Sequence, residues 1–379
     1  MQKKLNIVKV QEIMTSNGLS QSNLAEALDV SREAISQWLN NKSFPRPNKL
    51  LQLGKLLSLS FDELVIKDDS FAPRIAFRKV KGAKTQNHHI KKAQEIGRFL
   101  KQLVPFLPFD MLKMPPVLKS PNCDYDYLRK VTSKIREDNN LEADGIIDFT
   151  HLIRLFRDLQ AVIVPVLWGS KQRHENAVHI YLPDSQTTWI YLNLDTNIHD
   201  FKFWMAHELG HCLSPSLEGD EAEDFADAFA AALLFPHELA EKAYTSITSQ
   251  PNNAAKISHV LQLANSQTIS PYTVIKQVNK FAEHTAQPEI DINNSFPGAV
   301  TNFNKKFLNL SDALLKNKSQ DNKKNNAKDF ISIVETAFET PFFDLLRQYI
   351  KSSNKSASFI QIVLDISPLD AKSIHTELT

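Results

Sequence analysis

Apolar residues recur every three or four positions through residues 5–66. Ile7, Val8, Val10, Ile13 and Met14 form one set, and Leu24, Ala25 and Leu28 a second. Ala34, Ile35, Trp38 and Leu39 form a third, and Leu50, Leu53, Leu56 and Leu57 a fourth. This is the period of amphipathic helices. Asn17-Gly18 and Phe44-Pro45-Arg46-Pro47 break the pattern, and Ser20 and Ser31 stand where N-caps belong. Phe61, Leu64 and Val65 predict a closing helical turn. A compact bundle of short helices is therefore predicted for this stretch.

The pattern predicts helices over 127–135 and 147–159, then changes character. Residues 161–167, 177–182 and 189–194 read as strands, and Pro183-Asp184-Ser185 is good turn chemistry for a hairpin joining the last two. Residues 201–213 and 221–234 are strongly helical, and Pro236 ends the second helix. Beyond 240 the chain reads as mainly helical. It includes a pair at 257–264 and 270–281, an amphipathic aromatic stretch at 330–350 and a short apolar run at 359–366. Polar stretches at 283–299 and 316–328 predict linkers or loops.

Composition adds limits. The chain has 379 residues, 42% hydrophobic and 23% charged, enough for two or three globular domains. It lacks the roughly 20-residue apolar run that crosses a bilayer, and MQKKLNIVKVQEIM lacks a signal-peptide core. Two cysteines, Cys123 and Cys212, exclude a disulfide framework, so a cytoplasmic, non-membrane protein is expected. The net charge of +1 hides an asymmetry. Residues 74–101 carry nine Lys/Arg against the single acid Glu95, within a predicted basic connector over 67–110. Such a run is a solvated helix face or a surface that holds phosphates.

The strongest chemical signal is His207-Glu208-Leu209-Gly210-His211. Residues four apart share a helix face, so both imidazoles can reach one metal. Two imidazoles and a carboxylate suit Zn²⁺ and leave a fourth position for water, whose pKa the ion lowers toward ~7. Glu208 is then placed as general base. The third ligand expected is Glu223, which shares a helix face with Asp227; Asp227 would accept the free N–H of a ligating histidine and fix its tautomer. Glu218 and Glu221 are rival ligands without such a partner. Ala226, Ala230, Ala231 and Ala232 are small enough to let the two helices approach closely. The same residues also fit a structural or sensory metal site, or plain polar positions on amphipathic helices.

AHELGH followed by E-x-x-A-D-x-F-A-A-x-L-L-x-P resembles the ImmA/IrrE family of bacterial metallopeptidases, firmly over 160–240 and more weakly to 282. The resemblance implies that His207, His211 and Glu223 are metal ligands and that Glu208 is the general base. It also implies a protein substrate, a repressor or antitoxin, cut in response to stress or phage-related signals. Phe235 stands where the family more often has Met, and position 227 is Asn or Asp in the family. The segment WIYLNL, just before the first helix, is either a plain buried strand or an edge that binds substrate backbone by strand addition.

LSQSNLAEALDVSREAISQWLNNK resembles the helix-turn-helix of the XRE, phage-repressor-like, family. The resemblance implies that Gln21 touches a phosphate and that Arg32, Glu33, Ser36 and Gln37 face base edges. Asp29 replaces the usual turn glycine and can still adopt the left-handed conformation. A protein-docking role for this module stays open. The pair at 257–281 resembles the helix-turn-helix-like unit that follows such peptidase cores, or is a plain helical pair. His237, His259 and His284 show no ligand spacing and are expected at the surface, and Cys212 is expected to pack.

The expectation is a multi-domain chain, mainly α with a small β-sheet. A helix-turn-helix bundle (1–66) and the basic connector (67–110) precede an α+β zincin-like metallopeptidase core (111–245). A second helical unit (246–283) and a helical C-terminal region of unassigned role (284–379) follow. It would be a DNA-binding regulator, engaging an operator through residues 1–66, with a zinc endopeptidase domain; a homodimer is compatible with this. The alternatives are a ligand-sensing regulator with a non-proteolytic metal centre, and a peptidase whose N-terminal module docks a partner.

Overall fold

The computed structural model describes residues 2–40, 42–68, 72–76, 87–108, 117–169, 176–292, 294–315 and 327–379. The chain divides into two compact units, Met1–Ala72 and Pro73–Thr379.

The first unit runs β1 (Gln2–Leu5), α1 (Ile7–Ser16), α2 (Gln21–Ala27), α3 (Arg32–Leu39), α4 (Pro47–Leu57), α5 (Phe61–Leu64) and β2 (Val65–Asp68). Its core is built from Val10, Met14, Leu24, Leu28, Ile35, Trp38, Leu50, Leu53 and Leu57 among others. Ser20 and Ser31 cap α2 and α3 by accepting from the backbone N–H three residues on. The all-helical reading missed a ribbon: β1 pairs antiparallel with β2. Asn6 explains it, because its side chain caps α1 and also donates to the Glu63 carbonyl. That turns the preceding residues out of helix and buries Leu5. Val8, read as part of the apolar stripe, is 78% exposed.

The second unit begins with β3 (Arg74–Ala76), α6 (Asn87–Leu100), α7 (Tyr125–Asp138) and α8 (Phe149–Asp158). The strands β4 (Val162–Val166), β5 (Ala177–Leu182) and β6 (Thr187–Asn193) follow. Then come α9 (Ile198–Leu213), α10 (Gly219–Leu234), α11 (His237–Thr248), α12 (Asn253–Gln267) and α13 (Pro271–His284). The chain ends with α14 (Phe296–Asn304), α15 (Leu310–Leu315), α16 (Ala327–Phe338), α17 (Phe342–Ser353), α18 (Ala357–Leu364) and α19 (Pro368–Leu378). The fold is mainly helical around a small mixed sheet of order β3-β5-β6-β4, in which β6 pairs antiparallel with β5 and parallel with β4.

This order corrects one expectation. WIYLNL belongs to β6, an interior strand whose backbone groups pair on both sides, so it cannot add a substrate strand. Pro165 sits in β4, on the sheet's edge, where the missing N–H is tolerated.

The connector and the C-terminal region also differ from their readings. Ala93, Ile96 and Leu100 bury one face of α6 in the second unit's core, so this part of the basic run, with Lys91, Lys92 and Arg98, belongs to an integral helix, while Arg78, Lys79, Lys81 and Lys84 lie outside the described residues. The helices beyond 284 join the same core. Tyr191 on β6 donates to the Val363 carbonyl at 2.8 Å, and the Trp168 indole donates to the Leu364 carbonyl at 2.9 Å. Thr340 donates to the Ile163 carbonyl on β4 at 2.5 Å. The stretch 330–350 is two helices, broken where Glu339 takes a left-handed conformation (φ 48°) before Thr340-Pro341. Most of the linker expected at 316–328 lies outside the described residues.

Candidate metal centre

The site rests on how closely α9 and α10 approach. A Cβ on Gly210 would stand 3.0 Å from the Ala226 Cα and 3.2 Å from the Phe229 ring, so the glycine is what lets the helices touch. Leu209 and Met205 on α9 and Phe225, Phe229 and Leu233 on α10 bury the apolar faces. Arg136 on α7, itself buried, donates to the Leu233 carbonyl at 2.8 Å and to Gly145, satisfying a carbonyl at the end of α10.

The approach brings His207, His211 and Glu223 together, with one ligand atom from each within 4.8 Å of the others. The Nε2 atoms of His207 and His211 are 3.0 Å apart. Glu223 Oε2 lies 3.5 Å from His207 Nε2, and Oε1 lies 3.4 Å from His211 Nε2. His207 is 0% exposed and His211 4%. Asp227 Oδ1 stands 2.9 Å from His207 Nδ1, so His207 donates outward from Nδ1 and turns Nε2 inward. Glu218 and Glu221, the rival ligands, are exposed and outside the cluster.

The charges of the cluster act strongly on one another. Burial alone would push the His207 imidazole down, but the Asp227 and Glu223 carboxylates outweigh it and raise it to about 9. Burial pushes His211 down. Burial opposes ionisation of Glu223, yet the two imidazoles hold its carboxyl below the usual range. Glu208 is 2% exposed, and burial pushes its carboxyl up to about 8. Glu208 Oε2 and Glu223 Oε2 are buried without a hydrogen-bond partner among the described residues. Buried carboxylate oxygens are rarely left so, and a metal is one of the partners that satisfies them.

The donor set fits Zn²⁺. Ligand atoms about 2.0–2.1 Å from a tetrahedral zinc lie roughly 3.3 Å from one another, and the observed separations run from 3.0 to 3.5 Å.

One neighbour had no sequence signal. His179 on β5 is buried, its ring centroid 5.7 Å from that of His211, and burial together with the two site histidines pushes it down to about 3. It therefore stays neutral beside the cluster. Only the strand alternation of AVHIYL was visible, and that reads as core. Cys212 is buried, and burial pushes its thiol up, as fits a packing residue. His237 and His259, expected at the surface, are partly buried and hydrogen-bonded to Tyr125 and Ser246.

In the first unit, Arg32, Glu33 and Gln37 are exposed on α3 and Ser36 is half-buried, while Gln21 opens α2. Asp29, between the two helices, takes φ 50°, the left-handed turn conformation. Residues 10–64 match the family described as Helix-turn-helix, and the first unit is a domain of that kind. Over 57 residues the chain is 42% identical to the HTH-type transcriptional activator BcrR of Enterococcus faecalis. The aligned stretch covers 15% of this chain and 28% of that protein, so the chain spans little more than a quarter of that relative.

Proposed function

We propose that this protein is a DNA-binding transcriptional regulator whose second unit is a zinc-dependent endopeptidase acting on one or a few protein targets, a repressor or antitoxin among them. One observation carries the reading. The inward-facing nitrogens of His207 and His211 converge with the Glu223 carboxylate, while the adjacent, buried Glu208 keeps an oxygen free of hydrogen bonds. A purely structural or sensory metal site needs the first three residues and has no use for the fourth.

His207, His211 and Glu223 would hold the ion. Bound there, zinc supplies Lewis acidity, polarising a scissile carbonyl and acidifying water. Asp227 keeps the His207 ring in the tautomer whose Nε2 can ligate. Glu208, buried one residue along from His207, would take the proton of the attacking water and pass it to the leaving amine. The resemblance of AHELGH and the following helix to ImmA/IrrE metallopeptidases supports this assignment. The helix-turn-helix match and the similarity to a transcriptional activator support operator binding by the first unit, through Arg32, Glu33, Ser36 and Gln37.

The test is metal content of the purified full chain, measured by atomic emission. Wild type and Glu208→Gln are expected to carry similar zinc, and Glu223→Ala much less. Undiminished zinc in Glu223→Ala would remove the third ligand, and with it the hydrolytic reading.

A further inference from the structure

A cavity of about 320 Å³ lies between α7, α10, α11 and α13, walled by Tyr125, Leu128, Ala232, Gln277, Lys280 and His284. That volume is at the lower end of small-molecule sites, about 300–1,000 Å³. Two of its polar groups lack the partners that folding normally provides. Gln277 is 5% exposed, and its Nε2 has no hydrogen-bond acceptor among the described residues. Leaving such a donor unsatisfied costs about 1–3 kcal/mol. Lys280, one helical turn further along α13, is half-buried, with no acid in ion-pair range among the described residues.

The remaining walls define the shape of an occupant. Tyr125 stacks on His284, with ring centroids 4.3 Å apart and planes 20° from parallel, and Leu128 and Ala232 add apolar surface. The Tyr125 hydroxyl is fixed by His237 Nδ1 at 2.9 Å. The other charges are already compensated or sit at the rim. Arg129 faces Glu238 at 3.6 Å, His284 faces Asp126 at 3.4 Å, and Glu283 is exposed.

We propose that this cavity binds a small organic carboxylate with a planar apolar body. Its carboxylate is held by the Lys280 amine and the Gln277 amide N–H, and its ring lies against the Tyr125–His284 stack. One lysine without an ion-pair partner matches one carboxylate, whereas a polyanion such as a phosphate would meet Glu283 at the wall, with the other lining cation, Arg129, already facing Glu238. The site is separate from the metal ligands and does not depend on the proposed hydrolysis. Its wall includes Ala232 of α10, the helix that also carries Glu223.

Cys123 lines the cavity and is exposed, while Cys212 is buried, so thiol alkylation of the native full chain reports on Cys123. Benzoate, cinnamate and indole-3-acetate serve as probes, with benzamide and inorganic phosphate as controls. At least one carboxylate is expected to slow alkylation and raise the melting temperature, with both controls inert. Lys280→Met and Gln277→Leu should each weaken that effect about tenfold, as befits loss of a charge-assisted hydrogen bond or a buried one. The exposed-site control Lys276→Met should leave it unchanged. Protection by none of the three carboxylates, equal protection by benzamide or phosphate, or undiminished protection in Lys280→Met overturns the proposal. Lys280 is only half-buried, so that variant remains informative if Gln277→Leu fails to fold.

Discussion

The Ala226 Cα lies 3.0 Å from where a Cβ on Gly210 would stand, so α9 and α10 meet with no room for a side chain on Gly210, beside His211. Gly210→Ala is expected to push the helices apart by a few tenths of an ångström. Overpacking of this kind costs about 1–3 kcal/mol. It should also weaken zinc retention, because Glu223 and the two histidines are carried by the helices being separated. Thermal melting and chelator competition check the two effects together. A variant as stable and as zinc-retentive as wild type would show that the close approach is not what assembles the cluster.

Asp227 stands 2.9 Å from His207 Nδ1 and is expected to act through it. Asp227→Ala frees the ring to rotate and change tautomer. Loss of such a partner typically weakens metal affinity about 10–100-fold. Competition with a fluorescent zinc chelator measures this directly, and an unchanged affinity would assign Asp227 to the surface.

His199 is expected to contribute acid sensitivity to the fold. Its ring is buried with centroids 4.9 Å from Phe303 and 4.2 Å from Phe307, and neither nitrogen has a hydrogen-bond partner among the described residues. Burial, with Lys202 adding to it, pushes the imidazole down to about 4. The unfolded chain, with an ordinary histidine near 6.5, therefore takes up a proton first. Stability from this group is fully present above about 6.5 and is lost as the pH falls toward 4. His199→Phe should lose less stability between pH 7 and pH 5 than wild type in urea unfolding. Parallel losses would exclude His199 as the cause.

Arg32 leads the exposed face of α3. If it reads a guanine, Arg32→Ala should reduce discrimination at one operator position by about 1–3 kcal/mol. Selection of the full chain against a random duplex pool, followed by titration at fixed salt, tests this. An unchanged selected sequence in the variant would place Arg32 outside base readout.

Legibility of the fold followed how local each signal was. α9 and α10 could be read because apolar spacing, His207-x-x-x-His211 and Glu223-x-x-x-Asp227 are all one-turn patterns. The β1–β2 ribbon could not, because its pairing partners are some sixty residues apart and depend on Asn6 reaching Glu63. In α6 the apolar positions Ala93, Ile96 and Leu100 were present, but the run of lysines dominated the reading. The interior place of β6 depends on its parallel pairing with β4, which no local signal gives. Tyr125, His237 and Lys280 meet only through tertiary packing, so nothing in their spacing pointed to a cavity.

The measurement closest to the central claim compares new protein N-termini across the proteome in cells expressing wild type or Glu208→Gln, with and without DNA damage or phage. At least one terminus is expected to appear only with wild type, while both forms carry equal zinc. Identical termini under every condition, with zinc bound in both, would contradict proteolysis and leave a metal-centred regulator.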